Sequence, residues 1–295
     1  MSIPSILRCP VCHQRLERKR DSYRCANNHT FDLARQSYVN LLLSNEKHSK
    51  EPGDSAEMIQ SRRRFLSKSY YEPVAEAINR IVAQAAVSAH RRFGSDRFEV
   101  LDAGCGEGYY LKRLKDSLGA KRDGVSFGYY GLDISKPGIR HATQYDKSIV
   151  WIVGSVMNLP FLEATLDVVE SIFANTNFGE FSRVLKDGGR LLLAYPGTHH
   201  LASLRRAIYE QVIEHSSEEL LRQSQSYFSL LRTESVTYNT ELNDNEDIKA
   251  LLQMTPFYWN INLETRRRVE SLSHLPLEVD IRLSLLEKSP PVSKS

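Results

Sequence analysis

From Phe98 onward, short apolar runs alternate with longer amphipathic stretches. FEVLDAG, YYGLDIS, SIVWIVG, LDVVESI and GRLLLAY read as five strands, and helical patterns lie between them, including Tyr109–Ser117 and Phe178–Leu185. This βαβα alternation predicts an α/β fold with a mostly parallel sheet and helices on both faces. Farther on, LLRTESVTYN and LEVDIRLSLLE predict two more strands, with helices around Leu201–Gln223 and Glu246–Met254. Ahead of the alternating region, Val74, Ala77, Ile78, Ile81, Val82 and Ala85 recur at helical spacing. Met58, Ile59, Phe65 and Leu66 give an apolar face to a helix beginning at Ala56, which Asp54 or Ser55 can cap. Lys47–Gly53 reads as a polar linker and SPPVSKS as a disordered tail.

A chain of 295 residues accommodates one large α/β domain with a small appendage, or two ordinary domains. Hydrophobic residues at 41% and charged residues at 25% define a soluble globular class. No apolar run approaches the roughly 20 residues of a membrane span. MSIPSILRCP has no long apolar stretch and no small-residue cleavage site, so the expectation is a soluble, cytoplasmic protein without membrane contact. The net charge of +3 is uneven. Thirteen Lys and Arg stand against seven Asp and Glu before Tyr70, a net of +6 that leaves −3 for the remainder. A positive front end suits a polyanionic partner such as nucleic acid, or is a solvated basic surface.

Three of the four cysteines fall in CPVCHQRLERKRDSYRCANNHTFD. The spacing is Cys9-x2-Cys12, twelve residues, then Cys25-x3-His29. A CxxC knuckle offers zinc two thiolates, and a second pair completes a tetrahedron. His13 competes for the fourth place, but beside Cys12 its ring cannot easily reach the same metal, so His29 is preferred. Pro10 helps set the first knuckle, Asn27 and Asn28 tolerate unusual φ in the second, and a hairpin of Gln14–Arg18 with Ser22–Cys25 would join them. This is a zinc-ribbon layout. So small a segment cannot bury enough apolar area alone, so a structural zinc would supply its folding energy.

VLDAGCGEGYY places Gly104, Gly106 and Gly108 between a strand and a helix. The dinucleotide fingerprint is GxGxxG, whereas this spacing is GxGxG and Tyr109 stands where the last glycine would fall. Asp102, just before the turn, is a poor neighbour for pyrophosphate but suits a cofactor with a cationic amino-acid end. The stretch resembles motif I of the class I S-adenosylmethionine methyltransferases. By that resemblance Asp102 orders the amino-acid end, Gly104 and Gly106 permit close approach, and Asp133 takes both ribose hydroxyls. GSVMNLPF, with Gly154 and Ser155, would be the adenine loop, although such proteins often carry Asp at the serine position.

More specific matches lie outside that core. CPVCHQ…CANNHTFDLARQSYVNLL, PGDSAEMIQSRRRFL, YYEPV, LDAGCGEGYY, PGTHHL and LLQMTPFYW occur in an order that resembles the bacterial 23S ribosomal RNA guanine-N1 methyltransferases of the RlmA/TlrB type. The resemblance spans nearly the whole chain. It implies a class I, Rossmann-like fold with a small N-terminal zinc-ribbon domain. The expected division is residues 1–45 as an RNA-recognition ribbon, 46–92 as linker and helices, and 93–295 as the methyltransferase domain. It implies zinc on Cys9, Cys12, Cys25 and His29, and cofactor contacts at Tyr71, Gly106, Glu107 and His200. The substrate would be a hairpin of 23S ribosomal RNA. By the resemblance, members can pair as homodimers, although no stripe in this sequence fixes a homodimer face. One departure is IFANTNF, Ile172 to Phe178, where the family tends to have Ala-Pro beside the acceptor pocket.

Guanine N1 is a weak nucleophile until its proton leaves, so a base or an equivalent acceptor is needed. Asp54 is the candidate, with helix capping as its competing role. Arg62, Arg63 and Arg64 either contact phosphate or line a solvated helix face. Tyr70 and Tyr71 stack on a base or pack in the core. Two other functions remain open: a small-molecule methyltransferase, against which the basic ribbon counts, and a catalytically inactive RNA-binding protein, against which Asp102, the glycine turn and Asp133 count. A dehydrogenase is disfavoured by the glycine spacing.

Overall fold

The computed structural model describes residues 5–46, 52–94, 96–122, 124–209 and 218–290. Most of the Lys47–Gly53 linker, the last five residues of the tail and the middle of the Leu201–Gln223 stretch lie outside them. The N-terminal segment forms β1 (Leu16–Arg18), β2 (Ser22–Cys25) and β3 (Thr30–Asp32), a three-stranded antiparallel sheet, followed by β4 (Tyr38–Asn40). Helices α1 (Ala56–Ser67) and α2 (Glu72–Phe93) come next. The alternating region then gives β5 (Arg97–Ala103), α3 (Tyr109–Leu118), β6 (Lys121–Arg122), β7 (Val125–Asp133), α4 (Lys136–Ala142), β8 (Val150–Val153), β9 (Leu166–Ile172), α5 (Phe178–Val184) and β10 (Leu185–Pro196). The chain continues through α6 (Ala202–Ile208), α7 (Glu218–Ser224), β11 (Phe228–Leu242), α8 (Asn245–Gln253), α9 (Phe257–Asn260), α10 (Leu263–Glu270) and β12 (Leu275–Lys288).

The main sheet runs β11-β12-β10-β9-β5-β7-β8-β4, with β6 paired to β7. Strands β4, β8, β7, β5, β9 and β10 are parallel, and β12 is antiparallel to both neighbours. All seven strands expected from the apolar runs are present. The central ones are buried on both faces, as parallel strands covered by helices must be. One face packs on α2 through Val74, Ile78, Ile81 and Val82. The other packs on Phe178, Phe181 and Val184 of α5, and on Leu7, Leu16 and Tyr23 of the ribbon.

The ribbon is therefore stitched to the sheet. Tyr38–Asn40 pairs in parallel with Trp151–Val153, and Leu7 bridges Phe161. Within the expected 1–45 module, the chain has joined the methyltransferase sheet by Tyr38. The hydrophobic pattern could not show this, because a three-residue edge strand carries no usable period. Helix α1 starts at Ala56 as expected, and its cap is Ser55, whose side chain accepts from Met58 N–H at 3.2 Å. Among the described residues, no helix is long and apolar enough to cross a membrane.

Candidate cofactor cleft and metal centre

Two knuckles build the metal centre. Cys9 N–H donates to Gln14 O and Cys9 O accepts from His13 N–H, and in the second turn Cys25 O accepts from Asn28 N–H. His13 and Asn28 both take positive φ, 61° and 65°, which closes each turn tightly. Cys9, Cys12, Cys25 and His29 converge, with one ligand atom from each lying within 4.8 Å of the others. Cys12 Sγ is 3.5 Å from Cys25 Sγ, and Cys25 Sγ is 3.4 Å from His29 Nδ1. Metal–ligand bonds of about 2.0–2.3 Å at tetrahedral angles need separations of this size, so the donor set fits zinc. His13 is exposed and outside the cluster. Four protein donors leave no open position, which makes the site structural.

The second centre lies where β5, β7 and β9 end. Strand β5 has β7 on one side and β9 on the other, so the sheet order reverses there, the usual place for a ligand in such folds. Gly104 and Gly106 take φ of 90° and 54°. A Cβ at Gly104 would collide with the Ala174 methyl, and one at Gly106 would lie 3.0 Å from an Arg62 nitrogen. Asp133, at the end of β7, holds the turn closed: Gly106 N–H donates to its Oδ2 at 2.8 Å and Ser135 N–H to its Oδ1 at 2.7 Å. Each oxygen keeps a lone pair for a further donor. Gly154 N–H donates to Asp133 O at 3.0 Å, while the Ser155 hydroxyl accepts from Met157 N–H at 3.2 Å.

Asp102 and Glu107 are each 1% exposed, and Asp102 Oδ1 and both Glu107 oxygens have no hydrogen-bond partner among the described residues. Tyr145, Arg62 and Arg63 favour the charged form of Glu107 without meeting hydrogen-bond geometry. Burial, helped by the charges of Asp133 and Glu107, pushes the Asp102 carboxyl up to about 8, and burial also raises Glu107. Buried carboxylates without donors are costly unless a ligand satisfies them. An orphaned acidic lining beside a glycine cradle fits a cofactor carrying an ammonium and a sulfonium. Glu170 on β9 extends this lining. It is the ladder partner of Asp102, fully buried, with both oxygens unpartnered among the described residues and burial raising it well above the usual carboxylate range. Its sequence signal was an acid near the C-terminal end of the strand LDVVESI.

Tyr71 and His200 meet at the far side. Asp280 N–H donates to His200 Nδ1 at 3.3 Å, so the neutral ring carries its proton on Nε2 and can donate to Tyr71 Oη at 3.1 Å. Burial pushes His200 down to about 4, against the pull of the Asp280 carboxylate, and keeps it neutral. The Tyr71 hydroxyl is left to donate elsewhere. Asp54 pairs with Arg62 at 2.6 Å and its carbonyl accepts from the Ser135 hydroxyl at 2.8 Å, which puts it beside Asp133. The arginine run is spent inside the molecule: Arg62 on Asp54, Arg63 on His141 and Gln144, and Arg64 on Asp244 and Asp247. The Tyr70 hydroxyl donates to Asp247 at 2.9 Å.

A zinc ribbon fused to this cleft defines an S-adenosylmethionine-dependent class I methyltransferase. The sequence matches the family model described as RlmA, N-terminal, a zinc ribbon, over residues 7–50, and a methyltransferase domain model over residues 101–193. It is 30% identical over 282 residues to a Bacillus subtilis (strain 168) protein provisionally named 23S rRNA (guanine-N(1)-)-methyltransferase YxjB, covering 94% of this chain and 95% of that one. It is 31% identical over 270 residues to the 23S rRNA (guanine(748)-N(1))-methyltransferase of Streptomyces fradiae, covering 90% of each. A Micromonospora griseorubida protein with a provisional name of the same kind is 36% identical over 210 residues, 67% of this chain and 68% of that one. The chain belongs to the family of bacterial 23S ribosomal RNA guanine-N1 methyltransferases.

Proposed function

We propose that this protein transfers a methyl group from S-adenosylmethionine to N1 of a guanine in a hairpin loop of 23S ribosomal RNA, in the cytoplasm. The observation that carries this reading is the union of a basic metal ribbon and an acid-lined cofactor cleft, in a chain aligned over almost its full length with relatives named for that reaction. On this reading the ribbon of residues 1–45 grips RNA through the exposed Arg15, Arg18, Lys19, Arg20 and Arg24. Residues 46–92 lead into the core, and residues 93–295 perform the chemistry.

Asp133 accepts the ribose hydroxyls on its unused lone pairs, and Gly154 and Ser155 border the adenine. Asp102, Glu107 and the Gly104–Gly106 turn hold the amino-acid end, with Tyr71 and His200 opposite. The sulfonium supplies an electrophilic methyl group. In the transfer the N1 proton would pass to a base or to solvent, and the methyl group would move to N1 as the sulfonium becomes a neutral thioether. A paired guanine hides N1, so the base must leave the stack before it can react. Asp54 is held in an ion pair with Arg62. Asp54→Asn is therefore expected to weaken cofactor binding and turnover together, whereas lost transfer with intact cofactor binding would make Asp54 the base.

The test is transfer of labelled methyl from S-adenosylmethionine to 23S ribosomal RNA and, separately, to a pool of small metabolites. Nucleoside mass spectrometry should find 1-methylguanosine in the RNA. Label confined to metabolites would overturn the reading in favour of a small-molecule enzyme.

A further inference from the structure

The segment in which this chain departs from its family, IFANTNF, holds an unusual residue. Phe173 follows directly on β9 at the edge of the cofactor cleft and takes a φ of 52°, a conformation that a bulky side chain rarely adopts. It is also 41% exposed. Strain and apolar exposure both cost stability, and such positions persist where the surroundings enforce them. Here they do. Phe173 N–H donates to Ala194 O of β10 at 2.9 Å, and the Ala174 methyl fills the space that Gly104 leaves empty. The strained turn is thus locked against the cofactor turn itself. The ring lies nearly parallel to His200, at 9° with centroids 6.3 Å apart, and within 6.2 Å of Tyr71 and 6.4 Å of Tyr110. Three aromatic neighbours support it while two-fifths of its surface faces outward.

We propose that Phe173 is the platform on which the target guanine stacks after leaving the RNA, holding N1 beside the cofactor. This rests on the guanine reading above. An extruded base presents two apolar faces and needs an aromatic surface that is already rigid. Phe173 offers one at the end of β9, next to β5, where the sheet order reverses.

The test uses a short 23S hairpin in two forms, one with the acceptor guanine and one with an abasic nucleoside in its place, bound in the presence of S-adenosylhomocysteine. The wild-type chain should prefer the guanine form by roughly 5- to 100-fold, the range for one base stacked on an aromatic ring. Phe173→Ala and Phe173→Leu should bring that ratio close to one and slow transfer by a similar factor, with S-adenosylmethionine affinity within about twofold of wild type. Phe173→Tyr and Phe173→Trp should keep the preference. An unchanged ratio in Phe173→Ala would overturn the proposal. So would a ratio that survives while cofactor affinity falls, because Phe173 would then be a wall of the cofactor site. If the wild-type chain transfers no methyl to ribosomal RNA, the guanine reading fails and this one with it. Transfer by wild type with an unchanged ratio in Phe173→Ala defeats this one alone.

Discussion

The metal centre and the cofactor cleft answer the same problem in opposite ways. Both gather polar groups in a buried place. In the ribbon, Cys9, Cys12, Cys25 and His29 converge so closely that one small ion satisfies all of them, and no position is left over. In the cleft, Asp102, Glu107 and Glu170 are buried with oxygens that find no hydrogen-bond partner among the described residues. The first centre is closed and serves folding. The second, on the proposed reading, is completed by a cationic ligand. A fold can carry such a cost only where another part of the chain holds the site in shape. Here Gly106 and Ser135 clamp Asp133, and α1 lays Arg62 across the turn.

The comparison breaks most visibly at the metal. Removing zinc with a chelator, or replacing Cys25 with Ser, should unfold the ribbon and cost several kcal/mol, because a structural zinc contributes most of the folding energy of so small a unit. The apolar cluster shared by Tyr23, Leu101 and Phe161 should loosen with it. Circular dichroism melts with and without chelator measure this, and an unchanged melt would remove zinc from the account. Next is Asp133→Ala, which deletes the clamp on the glycine turn and the proposed ribose acceptor together. It should weaken S-adenosylmethionine binding by about 10- to 100-fold by calorimetry, as loss of hydrogen bonds to a charged group does.

Asp102→Asn sharpens the contrast because its two effects should have opposite signs. The raised Asp102 pKa means that the folded protein holds a proton the unfolded chain has lost between about pH 4 and pH 8. Stability without cofactor should therefore fall as pH rises through that window. The Asn variant should flatten that fall and be the more stable protein at pH 8, by on the order of 1 kcal/mol or more, yet bind the cofactor more weakly. Thermal melts at pH 5 and pH 8, paired with binding measurements, check both signs. The smallest effect belongs to the ribbon's hairpin tip. Replacing Arg18, Lys19 and Arg20 with Ala should raise the KM for RNA and reduce its salt dependence, since every phosphate left without its cation lowers the slope by close to one unit. Cofactor affinity should not move.

The sequence announced elements whose signal is repeated along the chain. Seven apolar runs became seven strands, and Ala56 opens a helix. Close local spacing also made the four zinc donors legible. What stayed hidden depends on packing between distant segments. The pairing of Tyr38–Asn40 with β8 turns a supposed appendage into the edge of the main sheet, and three residues give no period to read. The arginines of α1 looked ready for phosphate, but Asp54, Asp244, Asp247, His141 and Gln144 claim them, and four of those five come from far along the chain. Glu170 and Phe173 acquire meaning only from where β9 ends beside the glycine turn.

The most direct test of the central claim is a primer-extension scan of 23S ribosomal RNA after incubation with the protein and S-adenosylmethionine. A methyl on guanine N1 blocks Watson–Crick pairing and halts the polymerase. The account predicts one new, cofactor-dependent stop at a guanine in a hairpin loop. A protein that binds S-adenosylmethionine but produces no stop anywhere in the RNA would contradict it.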